Sequence, residues 1–190
     1  SSGRAAAWVS LAPSDDDPTM FFSYVIAALE TVFPSSLSEI SEYFSNAQSL
    51  TQERIAELFL LYFQELASPI ILVLDDVGFI HSPLIYEVLD KLVANCPENL
   101  QLVMISRRDP PLSLQDYRLA GSITELRQAD LKFNEAELEA FFSNNKAFAL
   151  RPSETKKILS KIEGWPAGIR LFSLGVEKTE DVQEAIRQLQ

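Results

Sequence analysis

The chain has 190 residues, 47% of them hydrophobic and 23% charged, proportions that fit a globular protein and exclude a disordered or fibrous one. Sixteen basic residues stand against 27 acidic ones, for a formal charge of −11. An acidic surface repels a phosphate backbone, so the segment is not expected to read DNA itself.

Residues 5–11 (AAAWVSL) form a short apolar run closed by turn formers and predict a buried strand. Asp17, with Pro18 in the first helical position, predicts a helix start. Phe21, Phe22, Val25, Ile26, Leu29 and Val32 follow at helical spacing up to Pro34. The serine-rich stretch 35–50 reads as a connection with room for a short helix. Thr51 caps the next helix, whose apolar face carries Ile55, Leu58, Phe59, Tyr62, Phe63 and Leu66. Residues 70–74 (IILVL) run apolar without alternation, which predicts a strand buried on both faces in a parallel sheet. A helix over 83–95 and a strand over 100–106 follow, and Pro110-Pro111 ends the latter's extension. Residues 123–126 suggest one more short strand.

This alternation predicts an α/β parallel sheet with helices on both faces. Beyond Asp130 only helical patterns remain: Asn134 to Phe142, Ser153 to Ile162, Trp165 to Val176 and Glu180 to Leu189. The expected organisation is an α/β domain over 1–130 and a small all-α domain over 131–190. The longest apolar run, 69–74, is far too short to span a bilayer, and the first residues have no leader pattern. Cys96 is the single cysteine and His81 the single histidine. Internal disulfides and zinc–thiolate sites are therefore excluded, and a cytoplasmic setting is expected. Cys96 itself is expected to fill space at a helix end.

Three motifs carry chemistry. The first is the apolar strand ending in Asp75-Asp76. A strand delivers such carboxylates rigidly to the carboxyl edge of a sheet, where open α/β folds bind ligands. There one acid can hold Mg²⁺ and the other can orient or deprotonate a water. Two acids that simply begin a loop would look the same. The second motif is the strand 102–106 followed by Arg107 and Arg108. An arginine at that edge can reach a phosphate or stand free in solvent. The third is Glu163-Gly164-Trp165-Pro166-Ala167-Gly168, a tight helix start on its spacing alone.

In order and spacing these motifs resemble a known family. Ala7-Trp8-Val9-Ser10-Leu11, the acidic Asp-Pro turn, and Phe21-Phe22 with Tyr24, Ile26, Ala28 and Leu29 are similar to the segment that follows the phosphate loop of MalT-like, LuxR-type transcription activators. The resemblance continues through Leu72 to Asp76, the His81 loop, Cys96-Pro97, Leu102 to Arg107, Pro110-Pro111, Leu126 to Phe133 and the Gly164 motif. It covers residues 5–176. These activators are signal-transduction ATPases of the STAND class, with a P-loop NTPase-like core. The resemblance implies an ATP/ADP switch with Mg²⁺, slow hydrolysis, self-association on activation, and DNA binding by a helix-turn-helix outside this segment. It further implies Asp75 as the magnesium-side acid, Asp76 as the catalytic acid and Arg107 as the γ-phosphate sensor. Gly164 and Pro166 would lie near the adenine.

One element of the family pattern is missing. Gly-x-x-x-x-Gly-Lys-Ser/Thr occurs nowhere, and none of the six glycines precedes a lysine. The expectation is a sheet lacking its first strand and phosphate loop, with a gap or open edge beside the Asp75 strand. Phe21, Phe22, Phe59 and Phe63 would then be partly uncovered and favour self-association. Without backbone amides to cradle phosphates, the chain alone is expected to bind ATP weakly or not at all. The alternative is an interaction scaffold of the same fold that has lost nucleotide chemistry. A purely helical adaptor is the third reading, and the apolar runs at 70–74 and 102–105 oppose it.

Overall fold

A computed structural model of the chain describes residues 4–34, 38–46, 51–144, 150–179 and 182–188. Two compact units divide at Ile123/Thr124.

The first unit is built on three parallel strands: β1 (Ala5–Ser10), β2 (Ile70–Asp75) and β3 (Leu100–Met104), in the order β1-β2-β3. Register pairs Ala7 with Leu72 and Leu72 with Leu102. Helices α1 (Pro18–Glu30), α2 (Ser38–Asn46) and α3 (Gln52–Glu65) connect β1 to β2, and α4 (Pro83–Ala94) connects β2 to β3. The chain then forms α5 (Leu114–Ala120). The Asp17 carboxylate accepts from the Met20 N–H at 3.0 Å and Thr51 Oγ1 accepts from the Arg54 N–H at 3.4 Å, so both expected caps form.

The sheet face bearing Leu72 and Leu74 packs against Phe21, Phe22 and Val25 of α1, Phe59 and Phe63 of α3, and Leu89 and Leu92 of α4. The expected coverage of both faces is therefore corrected. Parallel crossovers are nearly always right-handed, so strands added in sequence order place every connecting helix on one side. On the other face Val73 at the centre is 6% exposed, but Trp8 beside it is 55% exposed and Ile71 and Val103 are half-buried. β1 accordingly alternates buried and exposed residues rather than being wholly buried, as an edge strand with one solvated face does.

Three further expectations change. β2 is hydrogen-bonded on both sides, so no gap exists beside the Asp75 strand. Phe21, Phe22, Phe59 and Phe63 are 0–1% exposed and not uncovered, because all three large helices converge on them. Residues 123–126 form no strand; they follow the left-handed cap Gly121 and pair with no strand among the described residues, leaving Leu126 74% exposed. Cys96 is exposed just past α4, its thiol directed at the Leu100 carbonyl at 3.4 Å. Residues 35–37 and 47–50 of the serine-rich connection lie outside the described residues, as do Glu180, Asp181 and Leu189 of the last expected helix.

The second unit contains α6 (Glu135–Asn144), α7 (Pro152–Ile162), α8 (Pro166–Thr179) and α9 (Val182–Gln188). Its core joins Leu138, Phe142, Ile158, Ile169, Phe172, Val176, Ala185 and Ile186. Asn134 and Glu137 cap α6 reciprocally, each accepting the other's backbone N–H at 2.9 Å. α7 begins at Pro152 with Arg151 as its N-cap, two residues earlier than the Ser153 cap expected. The reason is Glu154. Its buried carboxylate accepts from the Arg151 N–H at 2.8 Å, from the Arg151 guanidinium at 2.8 Å, and from the Gln183 amide. No helix among the described residues is long and apolar enough to cross a membrane.

Two outcomes follow from this packing. Phe59→Ala is expected to lower the stability of the first unit by about 3–5 kcal/mol in urea unfolding. Burial works against ionisation of Glu154, but its bonds to Arg151 and Gln183 outweigh it and hold the pKa below 4.5. A depressed folded pKa means stabilisation present at neutral pH and lost as pH falls below 4.5. Glu154→Gln is expected to flatten that acid dependence in thermal melts.

Candidate functional site at the carboxyl edge of the sheet

β2 ends in Asp75, and the Leu11 N–H donates to the Asp75 carbonyl at 3.0 Å, which extends the β1 ladder to the very edge. Asp76 then turns left-handed, with φ 58° and ψ 38°. Aspartate tolerates this region better than most residues, though it still carries a conformational cost. Its own N–H donates to Asp75 Oδ1 at 3.0 Å. A short turn, Val77–Phe79, follows and leads into α4. It is sewn to the β3 end: Ile105 N–H donates to Leu74 O at 2.9 Å and Val77 N–H to Ile105 O at 3.0 Å.

These bonds bring the β2 and β3 ends together around a shallow cleft of about 140 Å³ lined by Asp76, Gly78, Phe79, Arg107 and Arg108. Asp76, Arg107 and Arg108 are exposed, and neither arginine has an ion-pair partner among the described residues. Asp76 and Arg107 thus share one cleft. Asp75 is half-buried, does not line it, and spends one carboxylate oxygen on the Asp76 N–H. Gly164 and Pro166 lie in the second unit.

A small network that the sequence reading missed holds the arginine segment. Asp90 of α4 accepts from the Ser113 N–H and hydroxyl, both at 2.9 Å, and from the Tyr117 hydroxyl at 2.7 Å. The Asp109–Arg118 pair at 3.2 Å closes the same loop. Burial opposes the Asp90 charge, yet the Ser113 and Tyr117 donors prevail and lower its pKa. Burial and the facing Asp90 together push Tyr117 up to about 12. Ser113 followed by Asp116 was the available signal, a modest helix-start pattern just beyond two prolines.

Gly164 has a packing reason of its own. It sits at φ +74°, its carbonyl accepts from the Phe133 N–H at 2.8 Å, and a Cβ there would meet Phe133 O at 2.6 Å. Pro166 opens α8, with Trp165 O accepting the Ile169 N–H.

Mg²⁺ requires octahedral oxygen coordination and commonly takes one or two carboxylates with phosphates and water. Among the described residues no group of three His, Cys, Asp or Glu could hold a metal. The two carboxylates of Asp75 and Asp76 are by themselves no more than part of such a shell. The cleft is smaller than the roughly 300–1,000 Å³ of a whole small-molecule pocket, so it suits one anionic end of a ligand.

The chain is thus an α/β parallel-sheet core followed by an all-helical unit, with acids and arginines meeting at the sheet's carboxyl edge. No protein-family model matches it. It is 31% identical over 170 residues to the HTH-type transcriptional regulator MalT of Yersinia enterocolitica, covering 88% of this chain and 18% of that protein. It is 29% identical over 192 residues to MalT of Serratia proteamaculans, covering 96% of this chain and 20% of that protein. With MalT of Cronobacter sakazakii it shares 29% identity over 188 residues, again 96% and 20%. The chain is MalT-like along nearly all of its sequence and spans about a fifth of the length of these relatives.

Gly164→Ala is expected to destabilise the second unit by about 1–2 kcal/mol through its positive φ alone, with the Phe133 clash added, read as a lowered thermal midpoint. Tyr117 should resist ionisation until about pH 12. Asp90→Asn is expected to bring its phenolate absorbance to lower pH, since a facing negative charge is removed.

Proposed function

We propose that this chain is part of the ATP-binding and hydrolysing switch module of a transcription activator. Exchange of ADP for ATP would govern self-association, and DNA binding would reside outside these residues. The observation that carries this reading is the meeting of Asp76 with Arg107 and Arg108 in one cleft at the sheet edge of a MalT-like chain.

Each residue has a role in this reading. Asp75 takes the magnesium side with the carboxylate oxygen it has free. Asp76, exposed at the cleft, orients and accepts a proton from the attacking water. Arg107 places an unpaired guanidinium where it can distinguish a terminal phosphate from its absence. Gly164 and Pro166 are assigned to the adenine side. Mg²⁺, when bound with ATP, supplies charge neutralisation between the phosphates. A phosphate-cradling loop has to come from residues other than these 190, which contain no such motif. The setting is cytoplasmic, and this chain by itself is an inactive ATPase. The absence of that motif from the sequence is also what favours a second reading, an interaction scaffold without nucleotide chemistry.

Titration of ATP and ADP with Mg²⁺ separates the two. Binding is expected for the full-length gene product and not for the 190-residue chain. Asp76→Asn in the full-length protein is expected to lower turnover about 100-fold or more while leaving ATP affinity within a few-fold. Arg107→Ala should reduce the preference for ATP over ADP about tenfold. Absence of nucleotide binding in both forms would establish the scaffold.

A further inference from the structure

Asp76 holds a left-handed backbone conformation, yet no side chain of the described residues makes a hydrogen bond to its carboxylate. Such a residue stays in place only when its surroundings over-determine it. The turn that follows it is fixed from two other segments by side chains. The Tyr86 hydroxyl of α4 lies 3.1 Å from Val77 O and 3.0 Å from Ile80 O, sharing its proton between both carbonyls of the turn. Asp16, from the turn between β1 and α1, accepts the His81 N–H at 2.6 Å and the Ser82 N–H at 2.7 Å through a single oxygen.

Asp16 thereby fixes the chain at the entry to α4. Ser82 stands at the N-cap of α4 and makes no side-chain capping bond, and a carboxylate 66 residues away in sequence takes the N–H of that N-cap residue and of His81 just before it. The neighbouring residues keep Asp16 in place. Buried Asp15 accepts the Ala12 N–H at 2.8 Å and Asp17 caps α1, so the turn is fixed on either side of Asp16. Tyr86 is 6% exposed, and both burial and the nearby Asp16 charge raise its pKa. Its hydroxyl therefore stays protonated and remains a donor. His81 contributes little: its ring is 3.8 Å from Asp16 and 77% exposed.

We infer that Asp16 and Tyr86 are positioning residues for the acid loop, holding Asp76 toward the cleft from two different segments of the chain. This rests on the acid role proposed above for Asp76. Both act through the backbone of residues 77–82 and neither lines the cleft.

The test has two arms. In the 190-residue chain, Asp16→Ala is expected to speed amide hydrogen exchange at His81 and Ser82 about tenfold, with β2 and α3 unchanged. Asp16→Asn, which keeps an acceptor oxygen, should restore most of the protection. Tyr86→Phe should loosen residues 77–80 without unfolding the sheet. In the full-length gene product, Asp16→Ala and Tyr86→Phe are expected to lower kcat about tenfold with KM within twofold, and Asp16→Asn to recover most of the loss. Unchanged exchange at His81 and Ser82 overturns the inference, as does exchange that rises evenly through the whole unit. Hydrolysis lost in Asp76→Asn but intact in Asp16→Ala and Tyr86→Phe overturns it alone. A full-length protein that hydrolyses no ATP sinks the acid role itself, and the positioning role with it.

Discussion

The central place of β2, paired in parallel on both sides, is the constraint from which the first unit follows. A strand bonded along both edges cannot slip, because a one-residue shift would turn Leu72 and Leu74 away from the three helices that cover them. Its end point is therefore fixed in space, and the acids at that end are fixed with it. Parallel strands run in one direction, so all three carboxyl ends emerge at one edge. The segments after β1, β2 and β3 consequently meet there: the Asp15–Asp17 turn, the Asp76 loop and the arginine segment.

Each of these segments is then tied to another by a polar contact. Asp16 joins the first to the start of α4, Ile105 joins the second to the third, and Asp90 secures the third to α4. Helix α4 is common to most of these ties. Its inner side contributes Ile85, Val88, Leu89 and Leu92 to the core, while Tyr86 and Asp90 carry the edge bonds. One helix thus both anchors the sheet and shapes the cleft. The polar bonds are short-range and directional, which suits groups that must be placed to within a fraction of an ångström.

Much of this was legible in the sequence where a local rule governed. The uninterrupted apolar run at 70–74 and the Asp17, Thr51 and Asn134 caps each have a mechanism confined to a few residues. Asp76 and Arg107 were each expected at a strand end on the carboxyl edge of the sheet; that the two line one cleft is seen only in the fold. What was illegible was long-range. Nothing near Ser82 announces that Asp16 will hold the entry to α4, and nothing near Asp90 announces Ser113 and Tyr117. Sidedness was misjudged for a related reason. Alternation of strand and helix says nothing of strand order, and it is order, combined with crossover handedness, that decides which face is covered. Asp75 shows the limit of motif reading: its neighbour's N–H occupies the oxygen that the pattern alone would leave free.

The two tryptophans fall one to each unit and both reach solvent. Trp8 is 55% exposed on the open face of β1, its Nε1 donating to Ser10 Oγ at 3.2 Å, and Trp165 is 42% exposed at the head of α8. Intrinsic tryptophan fluorescence of this chain therefore sums two solvent-exposed emitters, one in the sheet and one in the helical unit, neither buried in a core. Replacing either by phenylalanine leaves a single native reporter. Because the Trp8 ring lies on a face that none of α1, α3 and α4 covers, its emission would move to shorter wavelength whenever another surface settles there, giving an optical signature of sheet coverage that needs no added label.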